Sequence, residues 1–96
     1  MTAGSPPIVT LELPTLLRTV AGWRRVTLGG RTIGEALEAA FEKAPALRHH
    51  LTEDSGELRP HILCMLNDAV VPRTGLRSTP LESGDEILIH QAISGG

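Results

Sequence analysis

The chain has 96 residues, and 9 basic against 11 acidic side chains leave a net charge of −2. That length suits one domain with a single modest core, and so even a charge balance excludes the electrostatic footprint of a nucleic-acid or membrane-surface binder. Trp23 and Phe41 are the only aromatics, so the core must be aliphatic and the stacking platforms that hold single-stranded nucleic acid are missing.

Residues 1–7 are rich in Gly, Ser and Pro and are expected to be disordered. In residues 8–13, Val9, Leu11 and Leu13 alternate with Thr10 and Glu12, the pattern of a half-buried strand. Pro14, which has no N–H for a ladder, stops it. Residues 15–23 read as a connection with Gly22 as its turn residue. Residues 24–28 alternate again, and Gly29-Gly30 then reads as a tight turn of the hairpin kind.

A helix follows. Thr32 and Glu35 have the spacing of a capping box, with Glu35 reaching back to a freed N–H. Ile33, Ala36, Leu37, Ala40, Phe41 and Ala44 recur at helical offsets and make one continuous stripe. Pro45 ends it by disfavouring the helical conformation at Ala44. Residues 46–51 are expected to add a short helical turn, with Leu47 and Leu51 four apart. Residues 52–60 are polar and Gly-bearing, a surface loop.

Residues 62–66 form an apolar run, Asn67-Asp68 a turn, and Val70-Val71 a short return strand ended by Pro72. Residues 73–80 read as loop. Ser83, Gly84 and Asp85 cluster in a turn before the β-branched strand Ile87-Leu88-Ile89-His90. Residues 92–96 then lose pattern and charge and end on Gly95-Gly96, a flexible tail. The domain proper is residues 8–91, an α+β arrangement in which a single sheet wraps over one helix.

Little in this chain carries chemistry of its own. Gly29-Gly30 lacks the spacing and the following Lys of a phosphate-binding loop. His49, His50, His61 and His90 match no metal-ligand spacing, so no metal site is assigned and solvent-facing histidines are expected. Cys64 sits mid-strand among apolar residues, where a thiol is inert core. As the one cysteine it also excludes an internal disulfide and suits a reducing cytosol. No apolar run approaches the ~20 residues of a membrane span, and the first residues lack the features of a signal peptide. The expected location is cytoplasmic. Glu82, Asp85 and Glu86 are explained by a solvated turn. No catalytic constellation emerges, and the chain is not expected to be an enzyme.

The run Leu81-Glu82-Ser83-Gly84-Asp85-Glu86-Ile87, a strand, and then Gly95-Gly96 resembles the MoaD/ThiS family of ubiquitin-like sulfur carriers. The resemblance spans residues 8–96 and includes the Thr32 helix start and the Leu66-Asn67-Asp68 step. Leu13-Pro14-Thr15-Leu16-Leu17-Arg18 and the segment 48–60 look most like the CysO-type carriers of thiocarboxylate-dependent cysteine biosynthesis. The resemblance implies a β-grasp, ubiquitin-like fold, with a mixed sheet of four to five strands over one main helix and the last strand parallel to the first.

It also implies a cycle. An E1-like enzyme adenylates the Gly96 carboxylate with ATP, a sulfur donor converts it to a thiocarboxylate, and an acceptor enzyme takes the sulfur. For a CysO-like carrier the acceptor is a pyridoxal-phosphate cysteine synthase, followed by a metalloprotease that releases cysteine. ATP and pyridoxal phosphate belong to those partners, and the chain itself binds no cofactor. Gly95, Ser94 and Ile93 are expected to pass into the partner's site, where Gly95 and Gly96, having no side chains, thread a narrow channel and accept any φ.

Strand alternation adds a docking surface. Ile62, Cys64, Leu66, Ile87 and Ile89 face the helix, which turns Leu63, Met65 and Leu88 outward as a partner patch. Related readings are a molybdopterin-synthase small subunit or a carrier for a sulfur-containing natural product. Two others differ in kind: a ubiquitin-like modifier joined through Gly96 to protein lysines, and a plain interaction module with an inert tail.

Overall fold

The computed structural model describes residues 4–92. Five strands, β1 (Ile8–Glu12), β2 (Arg25–Gly29), β3 (Ile62–Leu66), β4 (Ala69–Val70) and β5 (Glu86–Gln91), form one sheet in the order β2-β1-β5-β3-β4. β1 and β5 are parallel and central, and the other neighbours are antiparallel. Three helices accompany it: α1 (Thr15–Ala21), α2 (Ile33–Lys43) and α3 (Ala46–Leu51).

The expected stripe is the inner layer of the core. Ile33, Ala36, Leu37, Ala40, Phe41 and Ala44 are all buried, against Val9, Leu11, Leu28, Ile62, Cys64, Ile87 and Ile89 from the sheet. Burial of Ile33, Leu37 and Phe41 contributes roughly 1.5–3 kcal/mol each, against about 1 kcal/mol for the cap. Packing therefore decides where α2 lies. At its start the Glu35 N–H donates to Thr32 Oγ1 at 3.2 Å, and Glu35 Oε1 accepts from the Arg31 N–H at 2.8 Å. The reciprocal bond thus reaches one residue further back than a capping box requires.

Four sequence readings are corrected. Residues 15–23 are not a bare connection: Thr15–Ala21 is α1, with Leu17 buried and Val20 and Ala21 packed on the core. Gly22 does close it, at φ 86° as the left-handed C-cap. Gly29-Gly30 is not a hairpin turn, because α1 joins β1 to β2 and Gly29 is the last residue of β2. Gly30 is glycine for closeness, since a Cβ there would lie 2.8 Å from the Ala36 backbone nitrogen.

Residues 73–80 contain a 3-10 turn, Leu76–Ser78, that buries Leu76 against the core. The return strand is Ala69–Val70 and excludes Val71, whose N–H instead donates to the Cys64 carbonyl at 2.9 Å. Ahead of β1, the Gly30 N–H donates to the Pro7 carbonyl at 3.0 Å, and Arg31 Nη2 donates to that of Gly4 at 3.0 Å.

Candidate functional site

β5 has two differently built ends. At its start, Gly84 takes φ 92°, where glycine is favoured. The Asp85 carboxylate accepts from the Glu82 N–H and from Asn67 Nδ2, both at 2.8 Å. Asn67 is a positive-φ residue of the β3–β4 turn, and its Oδ1 accepts from the Glu86 N–H at 2.9 Å. The Asp85 carbonyl accepts from the Thr10 N–H at 3.1 Å. The Gly-Asp-Glu run is thus a structural pin joining β5 to β1 and to the β3–β4 turn.

At its other end, Gln91 pairs with Ile62, and the Ala92 N–H donates to the His61 carbonyl at 2.8 Å. That is the last anchored amide of the described chain. Ile93, Ser94, Gly95 and Gly96, the residues assigned to tail and reaction, lie outside the described residues, as does all of the expected tail except Ala92.

Leu63, Met65 and Leu88 stand on the outer sheet face, Met65 and Leu88 half-buried. Met65 lies directly opposite Leu88, and Leu63, 36% exposed, lies opposite His90. Their neighbours Ile62, Cys64, Ile87 and Ile89 are buried on the inner face, so the alternation holds in both strands. Sequence reading missed Val70, which pairs with Met65 and is 58% exposed, extending the apolar row to the sheet edge. Its signal was the pairing itself: a two-residue turn at Asn67-Asp68 fixes which residue faces Met65.

Beyond Leu88 the face becomes polar. Glu12, beside Leu88 on β1, meets Arg18 at 3.7 Å and Arg24 at 3.4 Å, and Arg25 meets Glu86 at 3.5 Å. Such exposed pairs add at most about 1 kcal/mol each but set a charged border. Between α1 and the end of β5 runs a groove of about 290 Å³, lined by Pro14, Leu16, Arg18, Leu88, His90 and Gln91 among others. Leu16, 65% exposed, belongs to the helix that sequence reading did not see. The spacing of Leu13, Leu17, Val20 and Ala21 was the available signal.

Cys64 is fully buried, and burial pushes its thiol up to about 11, so it is protonated and unreactive at neutral pH. All four histidines are exposed. Among the described residues no three His, Cys, Asp or Glu side chains converge as a metal site, and no helix is long and apolar enough to cross a membrane.

A mixed sheet with a parallel central pair, wrapped over α2, is the β-grasp architecture of ubiquitin-like proteins. Residues 12–96 match the ThiS family. Small archaeal modifier protein 1 of Haloferax volcanii is 34% identical over 83 residues, which is 83% of this chain and 91% of that protein. Its crystal structure gives a TM-score of 0.81 at 32% identity, covering 93% of this chain and 99% of that one. A chain of the Amycolatopsis orientalis BexX/CysO complex gives 0.82 at 28% identity, covering 92% and 99%. CysO of Mycobacterium tuberculosis gives 0.79 at 27%, covering 88% and 99%. The chain belongs to the ThiS family and is a small ubiquitin-like carrier or modifier protein.

Proposed function

We propose that this chain is a sulfur carrier whose reacting group is the Gly96 carboxylate. An E1-like enzyme transfers AMP from ATP to that carboxylate and releases pyrophosphate. A sulfide equivalent then displaces AMP at the acyl carbon and leaves a thiocarboxylate. The sulfur passes to an acceptor enzyme of small-molecule biosynthesis. The likeness to two CysO chains favours cysteine as product, with a pyridoxal-phosphate cysteine synthase as acceptor and a metalloprotease to release it. The molybdopterin-synthase and natural-product readings share the same chemistry up to the thiocarboxylate.

The observation that carries this reading is where the sheet ends. Ala92 is the last of the described residues anchored to it, and Ile93-Ser94-Gly95-Gly96 follow it in the sequence. Four residues span at most about 13–14 Å, enough to enter a partner's site while the domain docks outside. Docking then holds the acyl carbon at high local concentration. The row Val70, Met65, Leu88 and Leu63 supplies an apolar surface for it beside the same strand.

A second reading is kept because a relative bears the name modifier: transfer of the Gly96 acyl group to a lysine amine of another protein. Intact mass after incubation with an E1-like enzyme, ATP and a sulfur source separates the two. Exchange of one oxygen for one sulfur, lost when Gly96 is deleted, is the expected result. Isopeptide-linked products without any thiocarboxylate favour the modifier, and no change with cognate partners refutes both.

A further inference from the structure

We propose that Arg73 is a positioning residue for the tail, because it holds the turn whose His61 carbonyl anchors Ala92, the residue from which the tail runs on. Five consecutive carbonyls, 58 to 62, lead from the loop into β3. Four of them gather round one guanidinium: Arg73 Nη1 donates to Leu58 at 3.1 Å, and the two N–H groups of Nη2 are shared among Arg59 at 3.0 Å, Pro60 at 2.7 Å and Ile62 at 2.6 Å. The fifth carbonyl, that of His61, faces the other way and accepts from the Ala92 N–H at 2.8 Å. Other bonds hold the start of the turn, from the Arg59 N–H to the Leu51 carbonyl at 2.9 Å and from Arg59 Nε to that of His49 at 2.8 Å; nearer His61, Pro60 offers no N–H and the Ile62 N–H donates to the Arg59 carbonyl at 2.9 Å.

A guanidinium is a rigid planar fork of five donors, so it fixes the directions of the carbonyls it gathers as well as their positions. Gathering four of five leaves the fifth aimed at β5. Without the fork, the His61 carbonyl is free to turn, and the Ala92 N–H loses its acceptor. Release of Gln91 and Ala92 would then move the start of the tail back by about 7 Å of contour and free its direction. The effect falls on how often the terminal carboxylate finds its partner's site, and leaves the chemistry there untouched. Arg73 is itself exposed, and its hydrogen bonds go to main-chain carbonyls, so a neutral side chain there removes the fork without emptying the core.

The anchoring stands by itself, and its consequence for the reaction rests on the carrier reading. Amide exchange by NMR tests the first. In Arg73→Gln the Ala92 amide is expected to exchange at least about tenfold faster, the worth of one ordinary hydrogen bond, while the Leu11 and Cys64 amides keep their protection. Arg73→Lys, a point charge with three donors, should recover part of the loss. Unchanged Ala92 exchange in folded Arg73→Gln overturns the proposal. If Arg73→Gln unfolds, the Lys variant carries the same comparison.

ATP–pyrophosphate exchange by an E1-like enzyme, with this chain as varied substrate, tests the second. Arg73→Gln should raise KM about tenfold with kcat nearly unchanged. Ala92→Pro, which deletes the donor to His61 and leaves Arg73 intact, should raise KM similarly, and the double variant should add little more. Additive effects, or a KM that stays put while Ala92 loses protection, overturn the role in the reaction. A parent chain that is never activated refutes the carrier reading, and the exchange measurement still decides the anchor.

Discussion

Gly30→Ala and Gly29→Ala replace neighbouring residues by the same methyl group, and the structure assigns them opposite outcomes. At Gly30 the added Cβ would sit 2.8 Å from the Ala36 nitrogen, 3.1 Å from its Cα and 3.3 Å from its Cβ. Neither wall gives easily. The Gly30 N–H is bonded to the Pro7 carbonyl and the Ala36 N–H to that of Thr32, each at 3.0 Å, so relief requires moving α2 against the sheet. Such overpacking costs about 2–3 kcal/mol, which for a domain of this size lowers Tm by about 10–20 °C. At Gly29 the nearest atom to an added Cβ is Pro6 Cγ at 3.5 Å, an ordinary contact. Loss of chain entropy in the unfolded state then leaves Gly29→Ala neutral or more stable by up to about 1 kcal/mol. Thermal unfolding followed by far-UV circular dichroism reads both. A Gly30→Ala midpoint within about 2 °C of the parent would refute close approach as the reason for that glycine.

Other expectations address the surface, the thiol and pH. Leu63→Asp combined with Leu88→Asp should leave the domain folded and weaken binding to the activating enzyme by more than about tenfold; unchanged binding in a calorimetric titration removes the outer face from the docking site. Cys64 should resist a disulfide exchange reagent at about pH 8 in the native protein and react fully in denaturant, and rapid native labelling would contradict its burial. Glu38 is held below its ordinary 4.5, first by the Arg48 hydrogen bonds; burial opposes them, and the Arg77 hydrogen bond and both positive charges add to the lowering. Its stabilising contribution is therefore complete above the ordinary value and lost as pH falls through the lowered one. Glu38→Gln should cost less than about 1 kcal/mol at neutral pH, and its stability should fall less steeply than the parent's between about pH 5 and pH 3 in urea titrations.

What the sequence made legible was periodic or local. The α2 stripe spans three turns and declares itself, and the outward direction of Leu63, Met65 and Leu88 follows from strand alternation alone. The family resemblance rested on Gly95-Gly96 together with Gly84-Asp85-Glu86, and the latter run has its conformation fixed by bonds to its immediate neighbours and to Asn67. The misses involve partners distant in sequence. α1 is only seven residues long and shows one buried residue, so its period is faint beside Pro14. Gly30 is required by Ala36 packing against it, Leu76 by a pocket in the core, and Arg73 by carbonyls 11 to 15 positions away. None of these leaves a local mark, because Gly-Gly, a lone Leu and a lone Arg occur equally in loops.

The central place of β5 also governs how the chain comes together. β1 with β2, and β3 with β4, can each zip locally, but the two halves share no ladder until Glu86–Gln91 slides between them. Closing β1 against β5 joins positions some 76 residues apart, as Leu11 with Ile87 shows. Pairings of such long separation are late and slow in folding. During synthesis the two strand pairs therefore stay unjoined until Glu86–Gln91 is made. Because β5 is the keystone of the sheet, a product broken off before Glu86 lacks both the parallel partner of β1 and Leu88 of the outer face. Such fragments are expected to stay unfolded and open to proteolysis.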